Sequence, residues 1–192
     1  MLEAIHPSKT NLITADEFWT FLETVEDETR RFELIEGVIE EMSPASMEHG
    51  RLSGRILGKI FVYLESNPIG LPFGDGVGYQ LKEYNILMPD MSFISKSRLI
   101  TPLPKVYPIA PDLAVEVISP SNTYREIRSK IEAYLAHGTQ LVWAVYPEDK
   151  VVDVWRAMPD GSLNKRTFTI NDTLSGEGIL PDFTLPISQI FS

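Results

Sequence analysis

Leu113-Ala114-Val115-Glu116-Val117-Ile118 carries one charge in six otherwise apolar positions and lies between Pro111 and Pro120. Proline cannot donate to a strand ladder, so a short apolar run between two prolines reads as a buried central strand. Side chains alternate along a strand. Glu116 therefore shares a face with Ala114 and Ile118, while Val115 and Val117 point the other way. A carboxylate in such a run is costly unless it is paired or binds a metal. At Glu116 alone both readings stay open.

Downstream, an amphipathic helix is expected over 122–137, closed by Gly138 at C′, with Ser119 or Asn122 capping its start. Leu141 to Tyr146 is a second apolar strand, and a hairpin at Glu148-Asp149 returns it as Val151 to Trp155. Upstream, Lys96 to Pro111 holds four prolines and reads as a loop. Strands are expected over 78–84 and 86–94. The glycines at 70, 74, 76 and 78 mark a loop ending a long helix over 46–65, whose apolar face repeats at Leu52, Ile56, Ile60 and Tyr63. Thr14-Ala-Asp-Glu17 is a capping box ahead of a first helix, and Arg31 to Met42 forms two strands around Glu36-Gly37. The tail from Ser162 has weak strand signals. This order implies an α/β fold, a mixed sheet with helices on both faces. The chain reads as a single domain over 1–192, with an N-terminal helix and hairpin at 14–45, a core at 46–156 and a C-terminal extension at 157–192.

The 192 residues include no cysteine, which excludes disulfides, thiolate zinc sites, iron–sulfur clusters and cysteine nucleophiles. No apolar run approaches the roughly 20 residues that span a bilayer. The first ten residues, with Glu3, His6 and Lys9, do not resemble a secretory signal, so a cytoplasmic location without membrane contact is expected. His6 and His137 suggest no role. Asp112, at a strand start, reads as structural, and Trp19, Trp143 and Trp155 as core.

Asp90 is the second isolated carboxylate, in Leu87-Met-Pro-Asp-Met-Ser-Phe-Ile94. Two such carboxylates on neighbouring core strands repel unless a cation lies between them, and Mg²⁺ or Mn²⁺ prefers oxygen ligands of this kind. A turn after Pro89 is the plain alternative. Lys130 borders the apolar stripe of Ile127, Ile131 and Tyr134 on the helix after Glu116, so its ammonium can reach back to the sheet. A lysine lying along a core edge is the plain reading there. Asp, Glu and Lys beside a metal suit phosphodiester hydrolysis, where charge develops on the phosphate.

Pro89-Asp90, Glu116 and a lysine on the next helix resemble the PD-(D/E)XK restriction-endonuclease-like superfamily. The chain is similar in particular to its Uma-type branch of small bacterial nuclease-like proteins, long catalogued as a domain of unknown function. The similarity runs through Phe32-Glu-Leu-Ile-Glu-Gly37, Met42-Ser-Pro44, Glu48-His-Gly50, Met88 to Phe93, Pro111 to Pro120, Tyr134-Leu135 and Leu141-Val-Trp143. It implies a mixed sheet with flanking helices, and Asp90 and Glu116 as ligands of Mg²⁺ or Mn²⁺. The Val117 carbonyl is a third candidate ligand and Glu48 a fourth through water. The superfamily's usual lysine position is Ile118, and Lys130 matches the branch's displaced lysine.

His49 is a candidate base or phosphate contact, and Glu48 also suits a first-turn position for helix-dipole reasons. Arg51, Arg55, Arg125 and Arg128 are candidate phosphate contacts, although a solvated helix face explains them too. The expected function is Mg²⁺-dependent endonucleolytic hydrolysis of DNA, with RNA left open, by a homodimer. The alternatives are an inactive nucleic-acid-binding or regulatory module on the same fold and a small-molecule metal-dependent phosphoesterase. Glu116→Gln and Lys130→Ala are each expected to abolish cleavage and leave the fold intact. The formal charge of −10 opposes nucleic acid, but residues 16–48 carry −9 and residues 49–132 carry +2. The surplus negative charge is thus expected in an N-terminal layer ahead of the site.

Overall fold

The structure, a computed structural model, describes residues 12–27 and 29–192; His6 and the rest of the N-terminal lead-in lie outside the described residues. The elements are α1 (Ala15–Glu23), β1 (Arg31–Ile35), β2 (Val38–Met42), α2 (Met47–Ser66), β3 (Gly70–Gly74), β4 (Tyr79–Gln80), β5 (Ile86–Leu87), β6 (Met91–Ser95), β7 (Leu113–Val117), α3 (Tyr124–Ala136), β8 (Leu141–Tyr146), β9 (Val151–Ala157), β10 (Leu163–Phe168), β11 (Thr173–Ser175), β12 (Thr184–Pro186) and α4 (Ile187–Phe191).

β7 is interior to a six-stranded mixed sheet of order β10-β9-β8-β7-β6-β3, parallel to β8 and antiparallel to β6. A parallel neighbour requires a crossover, and α3 supplies it. Val115 and Val117 pack under α2 with Leu52, Ile56 and Ile60. Ala114 faces the opposite core, which holds Ile131 and Tyr134 of α3. A second sheet, β2-β1-β5-β4, covers part of that core, and α1 closes its outer side by packing Phe18 with Phe32 and Leu34 of β1. The β1–β2 hairpin turns on Glu36 and Gly37, both at positive φ (49° and 77°), as a two-residue turn with right-handed strand twist requires.

Four expectations need correction. Residues 70–74 are a strand, not a loop: β3 pairs with β6 at the sheet edge, where glycine and Pro72 are tolerated. A Cβ at Gly70 would lie 2.3 Å from the Ile94 carbonyl, so this close approach admits only glycine. Residues 86–94 are not one strand. The chain leaves the small sheet after Leu87 and enters the large one at Met91, so Pro89-Asp90 is the crossing between sheets. The strand expected over 78–84 shrinks to Tyr79–Gln80. Thr123, not Ser119 or Asn122, caps α3, in a reciprocal capping box with Glu126. The tail also folds inward: Leu174, Leu180, Phe183, Leu185, Ile187 and Ile190 are buried against the α2 side of the large sheet. Among the described residues no helix is long and apolar enough to cross a membrane.

Candidate active site

Five side chains from β1, α2, the β5–β6 crossing, β7 and α3 meet in a cleft of about 530 Å³: Glu33, His49, Asp90, Glu116 and Lys130. Asp90 bridges the two carboxylate-bearing segments, because its Oδ2 accepts the Val117 N–H at 2.6 Å. Its Oδ1 takes no protein hydrogen bond among the described residues. Glu116 accepts from the Tyr134 hydroxyl through Oε1 at 2.8 Å and from Lys130 Nζ through Oε2 at 3.1 Å. Lys130 Nζ also stands 2.9 Å from Glu33 Oε2, and Glu33 Oε1 accepts the Met88 N–H at 2.6 Å. His49 Nε2 lies 2.8 Å from Asp90 Oδ2, a close charge contact that misses hydrogen-bond geometry.

Burial dominates the electrostatics. It pushes the Glu116 carboxyl up to about 7 against the opposing pull of Lys130, and Asp90 and Glu33 add to the rise. Burial alone would depress the Lys130 ammonium, but Glu116 and Glu33 outweigh it and hold its pKa above the ordinary value. Burial, then Glu116, holds the Tyr134 hydroxyl un-ionised. The Asp90 carboxylate beside His49 raises the imidazole against burial. Three buried acids thus face one partly buried ammonium and the His49 imidazole. The cleft is short of positive charge.

The sequence model of the Uma2 family, described as "Putative restriction endonuclease", matches residues 16–188. This chain belongs to the Uma2 family. A crystal structure titled as "a putative nuclease belonging to DUF820 from Anabaena variabilis ATCC 29413" superimposes on it with a TM-score of 0.81 and 22% identity, covering 93% of this chain and 97% of that one. No curated protein matches the chain.

In this Uma2 chain Asp90, Glu116, Lys130 and His49 converge, Glu48 and Val117 line the same cleft, and the four arginine candidates stand outside it. Glu48 is at the cleft mouth with both oxygens held by Arg51 (2.8 and 2.7 Å). Val117 meets Asp90 through its N–H. Arg51 and Arg55 turn away to the end of α4, donating to the Ser192 carbonyl, and Lys59 reaches Gln189 Oε1 at 2.8 Å. Arg128 pairs with Glu132 and stacks on Trp155. Arg125 is exposed and has no ion pair among the described residues. His137 Nδ1 contacts the Ala133 carbonyl, and Asp112 is a structural hub for Ser95 N–H, Arg98 and Gln140. Ser119 and Asn122 bond to each other and line the cleft.

Glu33 and Tyr134 carry no role in the sequence reading. Glu33 was within reach of strand parity: it alternates with Phe32 and Leu34 and shares a face with Ile35, so a buried Ile35 implies a buried Glu33. Nor do the N-terminal acids all stand apart from the site. Glu33, Glu40, Glu41 and Glu48 line the cleft itself, joined by Glu126 and Glu148.

Among the described residues no three His, Asp or Glu side chains are arranged to hold a metal. The site therefore does not fit an ion that needs a full protein cage. It does fit a hard divalent ion that takes two carboxylates and completes its shell with water and substrate phosphate. Asp90, with its open Oδ1, and Glu116 are the oxygen donors of that set, and two positive charges would balance the surplus carboxylates.

Proposed function

We propose that this chain is a Mg²⁺- or Mn²⁺-dependent endonuclease that hydrolyses DNA phosphodiester bonds. The observation that carries the reading is the convergence of Asp90, Glu116 and Lys130 in one cleft, with Lys130 Nζ 3.1 Å from Glu116. The Uma2 description "Putative restriction endonuclease" and the Anabaena protein's description as "a putative nuclease" support it.

Asp90 and Glu116 would hold the ion, which supplies polarisation of the phosphate and a lowered pKa for a nearby water. Tyr134 fixes the rotamer of Glu116, and the Val117 N–H fixes Asp90. Lys130 has three donors, two of them directed at Glu33 and Glu116; the third is free for a non-bridging phosphate oxygen, whose charge grows as the water oxygen bonds to phosphorus and the P–O ester bond breaks. His49, beside Asp90 in the cleft, would take or give a proton. A homodimer cutting one strand per copy and a cytoplasmic location belong to the same proposal.

The test is a cleavage assay on single-stranded, duplex and branched DNA and on RNA, with Mg²⁺, Mn²⁺ or EDTA. The expected result is DNA cleavage abolished by EDTA and reduced about 100-fold or more by Asp90→Asn. Turnover of phosphomonoesters alone would make the chain a small-molecule phosphoesterase. Metal binding with no cleavage of any substrate would make it an inactive module.

A further inference from the structure

Glu33 belongs to the N-terminal hairpin and not to the catalytic sheet, yet its buried carboxylate touches both halves of the site. Oε1 accepts the N–H of Met88, two residues before Asp90, and Oε2 lies nearer to Lys130 Nζ (2.9 Å) than Glu116 does (3.1 Å). Its position on the hairpin is unfavourable, since the strand register sets Glu33 directly opposite Glu40, a like charge. A buried carboxylate facing another acid persists only with compensation, here one ammonium and one backbone donor. Lys130 already has Glu116 as its counter-ion, so charge balance does not require a second acid. A second acceptor does something else: it directs an ammonium on a flexible four-carbon stem into one orientation.

We infer that Glu33 is a positioning residue, which fixes the Lys130 ammonium and the turn that presents Asp90, so that the β1–β2 hairpin completes the active site. The kinetic consequence rests on the nuclease reading above; the contact itself does not. Glu33→Gln is nearly isosteric and keeps an acceptor for Met88, but it turns an amide donor toward Lys130. Two measurements follow. Cleavage by the variant should lose about 10- to 100-fold in kcat, with KM within about twofold. Acylation of Lys130 by acetic anhydride, followed by mass spectrometry with Lys150 as internal reference, should accelerate several-fold. Glu33→Asp, which keeps the charge, should reverse part of both changes.

A melting curve establishes that the variants are folded at the assay temperature. If Glu33→Gln is not, Glu33→Asp carries the test, with kcat below wild type and Lys130 labelling above it. Labelling of Lys130 at the wild-type rate in the folded variant, or an unchanged kcat, overturns the proposal. A wild type that cleaves no nucleic acid sinks the nuclease reading, and the labelling still decides whether Glu33 holds Lys130.

Discussion

Lys130 places one positive charge between two buried carboxylates, Glu33 and Glu116. Lys130→Ala would leave both acids buried without their cation, and breaking a buried ion pair in this way costs about 3–5 kcal/mol. The expectation that this variant keeps its fold intact therefore changes. Urea denaturation should show a loss of that size for Lys130→Ala, whereas Glu116→Gln, whose one amide oxygen keeps an acceptor for Lys130 while its NH2 can donate to the Tyr134 hydroxyl, should lose less. Equal losses would mean that the carboxylates relax into solvent when the ammonium is gone. At this scale the sequence was informative wherever a charge stood alone. Asp90 and Glu116 are single acids in apolar runs, and Lys130 borders an apolar stripe. Strand parity could have given the burial of Glu33 but not its role, because it stands among many acids and its partners Met88 and Lys130 lie far along the chain.

Elements with one strong periodicity were readable: α2, α3, β7 and β8 follow directly from apolar spacing and caps. Elements decided by their neighbours were not. β3 exists because β6 offers it an edge, and the break between β5 and β6 exists because two sheets compete for one segment. The tail is a third case. Its apolar residues are too scattered to show a period, yet they fill the core under α2. Phe183 stacks near-parallel on Trp143 (centroids 6.5 Å apart) and edge-on against Tyr63 (5.3 Å). Phe183→Ala should cost about 3–5 kcal/mol, the usual price of an aromatic-sized cavity. Urea unfolding followed by tryptophan fluorescence measures it. A loss under 1 kcal/mol would show that the C-terminal segment is an accessory to the core.

Over the whole molecule, the segregation of charge along the chain does not survive folding. The acid-rich N-terminal layer folds against the cleft, and Arg51, Arg55 and Lys59 on α2 are committed to α4. A count along the sequence could not reveal this, because it does not say which surface each segment covers. Glu40 reports the consequence: burial first, then Glu126 and Glu33, raise its carboxyl above the ordinary value. The sign follows. A raised folded pKa means that the stability from this group is fully present only below its unfolded value of about 4.3, and is lost as pH rises through the folded value. Glu40→Gln removes that loss. The variant should therefore match wild type near pH 4 and exceed it at pH 7 by up to about 0.5 kcal/mol, since the side chain is only half-buried. Removing one mouth acid should also tighten duplex DNA binding measured with Ca²⁺ in place of Mg²⁺, and binding should still fall steeply with salt. A variant that is less stable at pH 7, or that binds DNA more weakly, would mean that Glu40 is paired with a cation in solution, and that the mouth of the cleft is less acidic than its residues imply.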